Sequence, residues 1–110
     1  MIIGLDGIAK MDTWLDNNVS DDYKRQPLAQ DWARVCKVAE ELGETIQCLI
    51  GATGQNPRKG FVNDTDDMLD EMADTLITGI LCIQHFTKDE NQTETLIQDR
   101  WLYRMNKAGI

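Results

Sequence analysis

The chain has 110 residues, a formal net charge of −8 and 42% apolar residues. This fits one globular domain. The acidic balance excludes a nucleic-acid polymer as the expected partner, because phosphate backbones are held by basic patches. A single phosphorylated small molecule stays open, provided a divalent cation sits between the two anions.

The spacing of apolar residues predicts four helices and an all-α fold. The first spans about Ile8 to Asn18 and carries Ile8, Met11, Trp14 and Leu15, and the "NNVSDD" that overlaps its end reads as a loop. The second runs from Pro27, which suits a first turn, to a stop at Gly51 and Gly54. Its apolar stripe is Leu28, Trp32, Val35, Val38, Ala39, Leu42, Ile46 and Leu49. "GQNPRKGFVND" is a loop. The third helix begins near Asp64 or Thr65, either of which is a suitable cap. It carries Met68, Leu69, Met72, Ala73, Leu76, Ile77, Ile80, Leu81 and Ile83. "TKDENQ" breaks the pattern. The fourth, about Thr93 to Lys107, carries Leu96, Ile97, Trp101, Leu102 and Met105.

Two acid pairs raise a chemical question. A helix places i, i+3, i+4 and i+7 on one face. On the second helix Lys37, Glu41, Glu44 and Cys48 form a line that flanks the apolar stripe. On the third, Asp67, Glu71, Asp74, Thr78 and Cys82 form the matching line. If the two helices pack antiparallel, Glu41, Glu44, Glu71 and Asp74 converge between them. Carboxylates at close range repel unless some are protonated or a cation neutralises them. An all-oxygen set favours a hard ion such as Mg²⁺ or Mn²⁺. Glu-x-x-Glu pairs on helices are commonly solvated faces. Two pairs beside the core of adjacent helices shift the reading toward metal. A di-iron bundle wants Glu-x-x-His, and His85, the sole histidine, follows none of these acids by three. Gly43 and Gly79, inside the same helices, are expected to make room for a neighbouring helix or a ligand; each costs about 1 kcal/mol relative to Ala.

"EELGE" followed by "EMAD" resembles the E-E-x-x-E … E-x-x-D signature of MazG-like nucleoside triphosphate pyrophosphohydrolases. The loop "GATGQNPRKGF" is similar to that of small phage and bacterial members. The resemblance covers about Pro27 to Phe86. It implies a four-helix MazG-type bundle, assembled as a homodimer or homotetramer. It also implies Mg²⁺-dependent attack of water on the α-phosphorus of a (deoxy)nucleoside triphosphate, giving a monophosphate and pyrophosphate. By position, Glu41, Glu44, Glu71 and Asp74 would hold the metal. Glu40 and Glu41 would be the catalytic acids, with Glu40 orienting water. A deoxynucleotide is expected, a purine such as dGTP being one choice.

Phosphates also need donors. Lys37, Arg58, Lys59, Arg104 and Lys107 are the candidates, although surface cations are common and Lys37 also has Glu40 and Glu41 as helical neighbours. Trp14 or Trp101 would stack on a base, unless these aromatics are core. Asn17 and Asn18 would read base edges, unless they form a polar turn. His85, Met68 and Met72 read as structural. Cys36, Cys48 and Cys82 form no C-x-x-C pair and read as reduced thiols, with Cys48 and Cys82 as small packing groups. The opening "MIIGLDGIAKM" has no basic n-region and too short an apolar run for a signal peptide. No stretch has membrane-spanning length, so a cytoplasmic protein is expected. The rival readings are a non-catalytic helical interaction module, and a related hydrolase acting on dUTP or phosphoribosyl-ATP.

Overall fold

The computed structural model describes residues 6–110. Residues 1–5, the start of the stretch read for a signal peptide, lie outside them. Among the described residues the fold is all-α, with α1 (Asp6–Asn18), α2 (Asp21–Lys24), α3 (Pro27–Thr53), α4 (Thr65–Thr87) and α5 (Glu90–Ala108). None of these helices is long and apolar enough to cross a membrane.

The boundaries follow local chemistry. The single turn α2 interrupts the expected "NNVSDD" loop because the Ser20 hydroxyl accepts from the Tyr23 N–H and caps it. Helix α3 starts at Pro27 and stops at Gly54, which sits at φ 66° as the left-handed cap. The Asp64 carboxylate accepts from Asp67 N–H, and Asp67 accepts from Asp64 N–H, closing a capping box on α4. The last helix starts earlier than expected. Asp89 accepts from Gln92 N–H, so the polar "DENQ" is a helix start and not a break. Lys88, between α4 and α5, takes φ 58°. A non-glycine residue there is strained, and its ammonium is tied to Asp12 and Asp16 at 3.3 and 3.4 Å.

Helices α3 and α4 pack antiparallel. Asp31 meets His85, Thr45 meets Thr75, and Gly51 meets Val62 and Asn63 just before α4 begins. Helices α1 and α5 pack on α4. The core is small: Ile8, Ile80 and Leu81 are buried, with Leu15 and Ile97 against them.

One expectation is corrected here. The α3 stripe does not enter a core within the chain: Leu28 is 75% exposed, Trp32 71%, Ile46 51% and Leu49 48%. The face of α3 turned to α4 is the polar one, which buries Thr45. The same holds for Leu69, Met72, Leu76 and Ile77 of α4, all exposed. Gly43 and Gly79 face open space within the chain, where a Cβ on either would meet nothing within 4 Å, so no helix of this chain fills the room they were expected to make. The glycine that a close approach does require is Gly51, where a Cβ would collide with Asn63.

Candidate functional site

The antiparallel crossing of α3 and α4 brings Glu41, Glu44 and Glu71 together. One carboxylate oxygen from each lies within 4.8 Å of the others. Two threonines set this register. The Thr45 hydroxyl bonds the Glu41 carbonyl at 3.1 Å and the Thr75 hydroxyl bonds the Glu71 carbonyl at 2.9 Å. The two hydroxyls meet each other at 3.1 Å.

The electrostatics are those of crowded acids. Glu71 has its pKa raised, first by burial, then by the hydrogen bond that its protonated carboxyl donates to Glu44, then by the charges of Glu44, Asp74 and Glu41. Its Oε2 is buried without a hydrogen-bond partner. Cys48 borders the cluster. Burial and the charges of Glu71, Asp67 and Glu44 push its thiol pKa up, so it stays protonated and is a poor ligand. Lys37 is the one cation on this rim among the described residues. Its Nζ lies 3.1 Å from Glu40 and 3.3 Å from Glu41, and chiefly the Glu40 hydrogen bond raises its pKa. Lys37 and Glu40 therefore hold each other at the edge of the acids. Asp74 is exposed and outside the three-carboxylate set, near enough to act on Glu71 by its charge.

Three carboxylates facing a single shared ammonium fit a hard divalent ion. The donors are all oxygen, and the orphaned Glu71 oxygen needs a partner.

A second cluster went unread in the sequence. Ligating atoms of Asp12, Asp16 and His85 also lie within 4.8 Å of one another. Here two cations already serve the acids. Arg34 Nη2 lies 3.0 Å from Asp12 and 2.9 Å from Asp16, and Lys88 reaches the other oxygens of both. This charge balance fits a structural tie of α1 to α3 and α4, while Asp12 Oδ1 and His85 Nδ1 are buried there without a hydrogen-bond partner. The only sequence signal was Asp12 and Asp16 at i, i+4 on α1. His85, read as structural, is buried with Nε2 2.6 Å from Asp31.

The other expected site residues are dispersed. Arg58 and Lys59 lie exposed on the 55–64 loop. Lys59 lines a cleft of about 250 Å³ with Gln47, Gly51, Asn56 and Asn63. Trp14 is 58% exposed on the outside of α1. Asn18 donates to the Trp14 carbonyl at 2.7 Å, and Asn17 is exposed beside it. That end of α1 is tied by Asp16 to Lys88, past the C-terminus of α4. Glu71 lies roughly 21 Å along α4 from His85 but only about 9 Å from the start of α4. Within one chain the 55–64 loop is thus nearer the acids than the end of α1 is. On α5, Arg104 and Lys107 are exposed and Lys107 Nζ lies 5.7 Å over the Tyr103 ring. Neither pairs with a carboxylate among the described residues. Trp101 is also exposed, not core. No protein-family profile, characterised protein or solved structure matches the chain.

Proposed function

We propose that the chain is a divalent-metal-dependent hydrolase of the MazG-like kind, cleaving a (deoxy)nucleoside triphosphate to its monophosphate and pyrophosphate. The observation that carries this reading is the convergence of Glu41, Glu44 and Glu71, with a buried Glu71 oxygen left without a partner. These three residues would hold Mg²⁺ or Mn²⁺, with Asp74 at the margin. The ion would supply neutralisation of the triphosphate charge and a more acidic water. Glu40, exposed and held by Lys37 at 3.1 Å, would accept a proton at its carboxylate. Lys59 and Arg58, exposed on the 55–64 loop, would bring cations to the substrate.

The same reading includes self-association. The chain exposes 8103 Å², against roughly 6,200 Å² for a compact monomer of this mass. Its radius of gyration is 16.9 Å, against about 13 Å for a compact domain of this length. The excess of roughly 1,900 Å² per chain, about 3,800 Å² for a pair, exceeds the roughly 800 Å² per partner of a standard interface and falls in the range of obligate homodimers. The exposed apolar faces of α3 and α4 are the surfaces a second copy would cover, giving a homodimer or homotetramer.

A panel of nucleoside triphosphates with Mg²⁺ or Mn²⁺ tests the activity. Pyrophosphate release from at least one is expected. The panel includes dUTP and phosphoribosyl-ATP, so preference for either narrows the reading. Orthophosphate and a diphosphate as sole products would overturn the assignment. The exposed apolar faces also favour a second reading, a non-catalytic helical interaction module; no metal binding and no turnover of any substrate would select it.

A further inference from the structure

We infer that the cleft between the last turns of α3 and the 55–64 loop is the nucleobase subsite, read by the side-chain amides of Gln47, Asn56 and Asn63. The inference rests on the proposed triphosphate chemistry at the neighbouring acids, and it specifies where the base goes.

The cleft is built by the backbone. Val62 N–H donates to the Gly51 carbonyl at 3.1 Å, folding the loop back onto α3. The N–H groups of Lys59 and Gly60 donate to the Asn56 carbonyl at 3.1 and 3.0 Å, and Arg58 N–H donates to Asn56 Oδ1 at 3.0 Å. Gly51 is buried because Asn63 and Val62 occupy the space where a side chain would stand. Asn63 is thereby held over the helix.

Chemistry separates this cleft from the acid cluster. Each amide offers both donors and an acceptor. Base edges carry mixed donors and acceptors and match them. Phosphates carry acceptors only, and amide oxygens facing them would be left unmatched. Among the described residues the side chains of Gln47 and Asn63 make no hydrogen bond, and the Asn56 amide nitrogen has none, so their groups are available. The volume of about 250 Å³ falls below that of a pocket for a whole drug-sized ligand and suits a base without its sugar and phosphates.

Position completes the argument. Glu44, Gln47 and Gly51 share one face of α3 at i, i+3 and i+7. Gly51 lies about 10 Å along the axis from Glu44, a distance that a sugar and its first phosphates bridge. A base in the cleft therefore leaves the triphosphate at Glu41, Glu44 and Glu71, with Lys59 as the cleft's one cation.

The test compares Gln47→Ala and Asn63→Ala with the wild type. Substrates are four deoxynucleoside triphosphates and a deoxyribose triphosphate that lacks a base. Each variant is expected to lower kcat/KM for the best nucleotide tenfold or more. The spread among the four bases should narrow, and the loss should be confined to substrates that carry a base. An equal loss on the base-free compound, or no loss at all, overturns the subsite. A second measurement separates this from failure of the triphosphate reading. Free deoxynucleosides, which carry no phosphate, are titrated into the wild type while its side-chain amide resonances are followed. Shifts confined to Gln47, Asn56 and Asn63 support the subsite even if no triphosphate is turned over. Unmoved resonances for all four nucleosides overturn it even if turnover is observed.

Discussion

The hydroxyls of Thr45 and Thr75 meet at 3.1 Å between α3 and α4, while each also bonds the carbonyl of the glutamate four residues before it, Glu41 or Glu71. Two protons thus serve three contacts. The pair fixes the register that brings carboxylates from two helices to one point. Thr45→Val removes one hydroxyl from a position that is 4% exposed. Thr75 keeps its own carbonyl partner. The expected loss is about 1 kcal/mol of unfolding free energy, read from urea denaturation. No change in midpoint would mean that the contact does not set the crossing.

Glu41→Gln removes one negative charge at nearly constant shape. Activity should collapse through lost metal, while the metal-free protein becomes no less stable. In the wild type, an ion that binds only the folded state stabilises by about 2.7 kcal/mol at one hundred times its dissociation constant. That gain should shrink in the variant. Full activity in Glu41→Gln, or a wild-type melting temperature unmoved by Mg²⁺ and Mn²⁺ with nucleotide present, would remove the carboxylate cluster from the mechanism.

The raised pKa of Glu71 has a signed consequence for stability. A carboxyl whose folded pKa exceeds its unfolded value holds more protons in the folded state across the interval between them. Stability of the metal-free protein therefore falls as pH rises from the ordinary carboxyl value of 4.5 through the raised folded value. Below both values the penalty is absent. Metal affinity runs the opposite way and strengthens as Glu71 loses its proton. Glu71→Gln should flatten the stability profile over that interval. Thermal melts of apo wild type and variant from acid to neutral pH supply the comparison, and parallel curves would count against the shared-proton cluster.

The exposed apolar faces predict association. Sedimentation of the wild type should give at least twice the 12.5 kDa chain mass. Ile46→Glu with Leu76→Glu places charges on residues that are 51% and 57% exposed within one chain. These changes should move the protein toward the single-chain mass while keeping its helical circular dichroism. A monomeric wild type at micromolar concentration would leave those faces without a second copy.

Periodicity and caps made the four long helices legible in the sequence, whereas the single turn α2 is too short to carry an apolar period. Pro27, Gly54 and Asp64 mark where they start or stop, because a missing N–H, a left-handed cap and a free carboxylate each act within one turn. The acid lines were legible for the same reason, since i, i+3 and i+4 spacing is a property of a single helix. The start of α5 was not, because the apolar pattern begins only after its capped first turn. Only the tertiary structure decided which face of α3 meets α4. Apolar periodicity says that a stripe is buried somewhere, yet it does not say whether the cover comes from this chain or another. The structure turns Thr45, Glu41 and Glu44 toward α4 and leaves Trp32 and Ile46 outside. It likewise decided that Asp74 stays outside the cluster, that Asp12, Asp16, Arg34 and Lys88 form a network of their own, and that Asn63 lies over Gly51. Those relations join residues far apart in sequence, and their geometry depends on how helices cross, which no local spacing encodes.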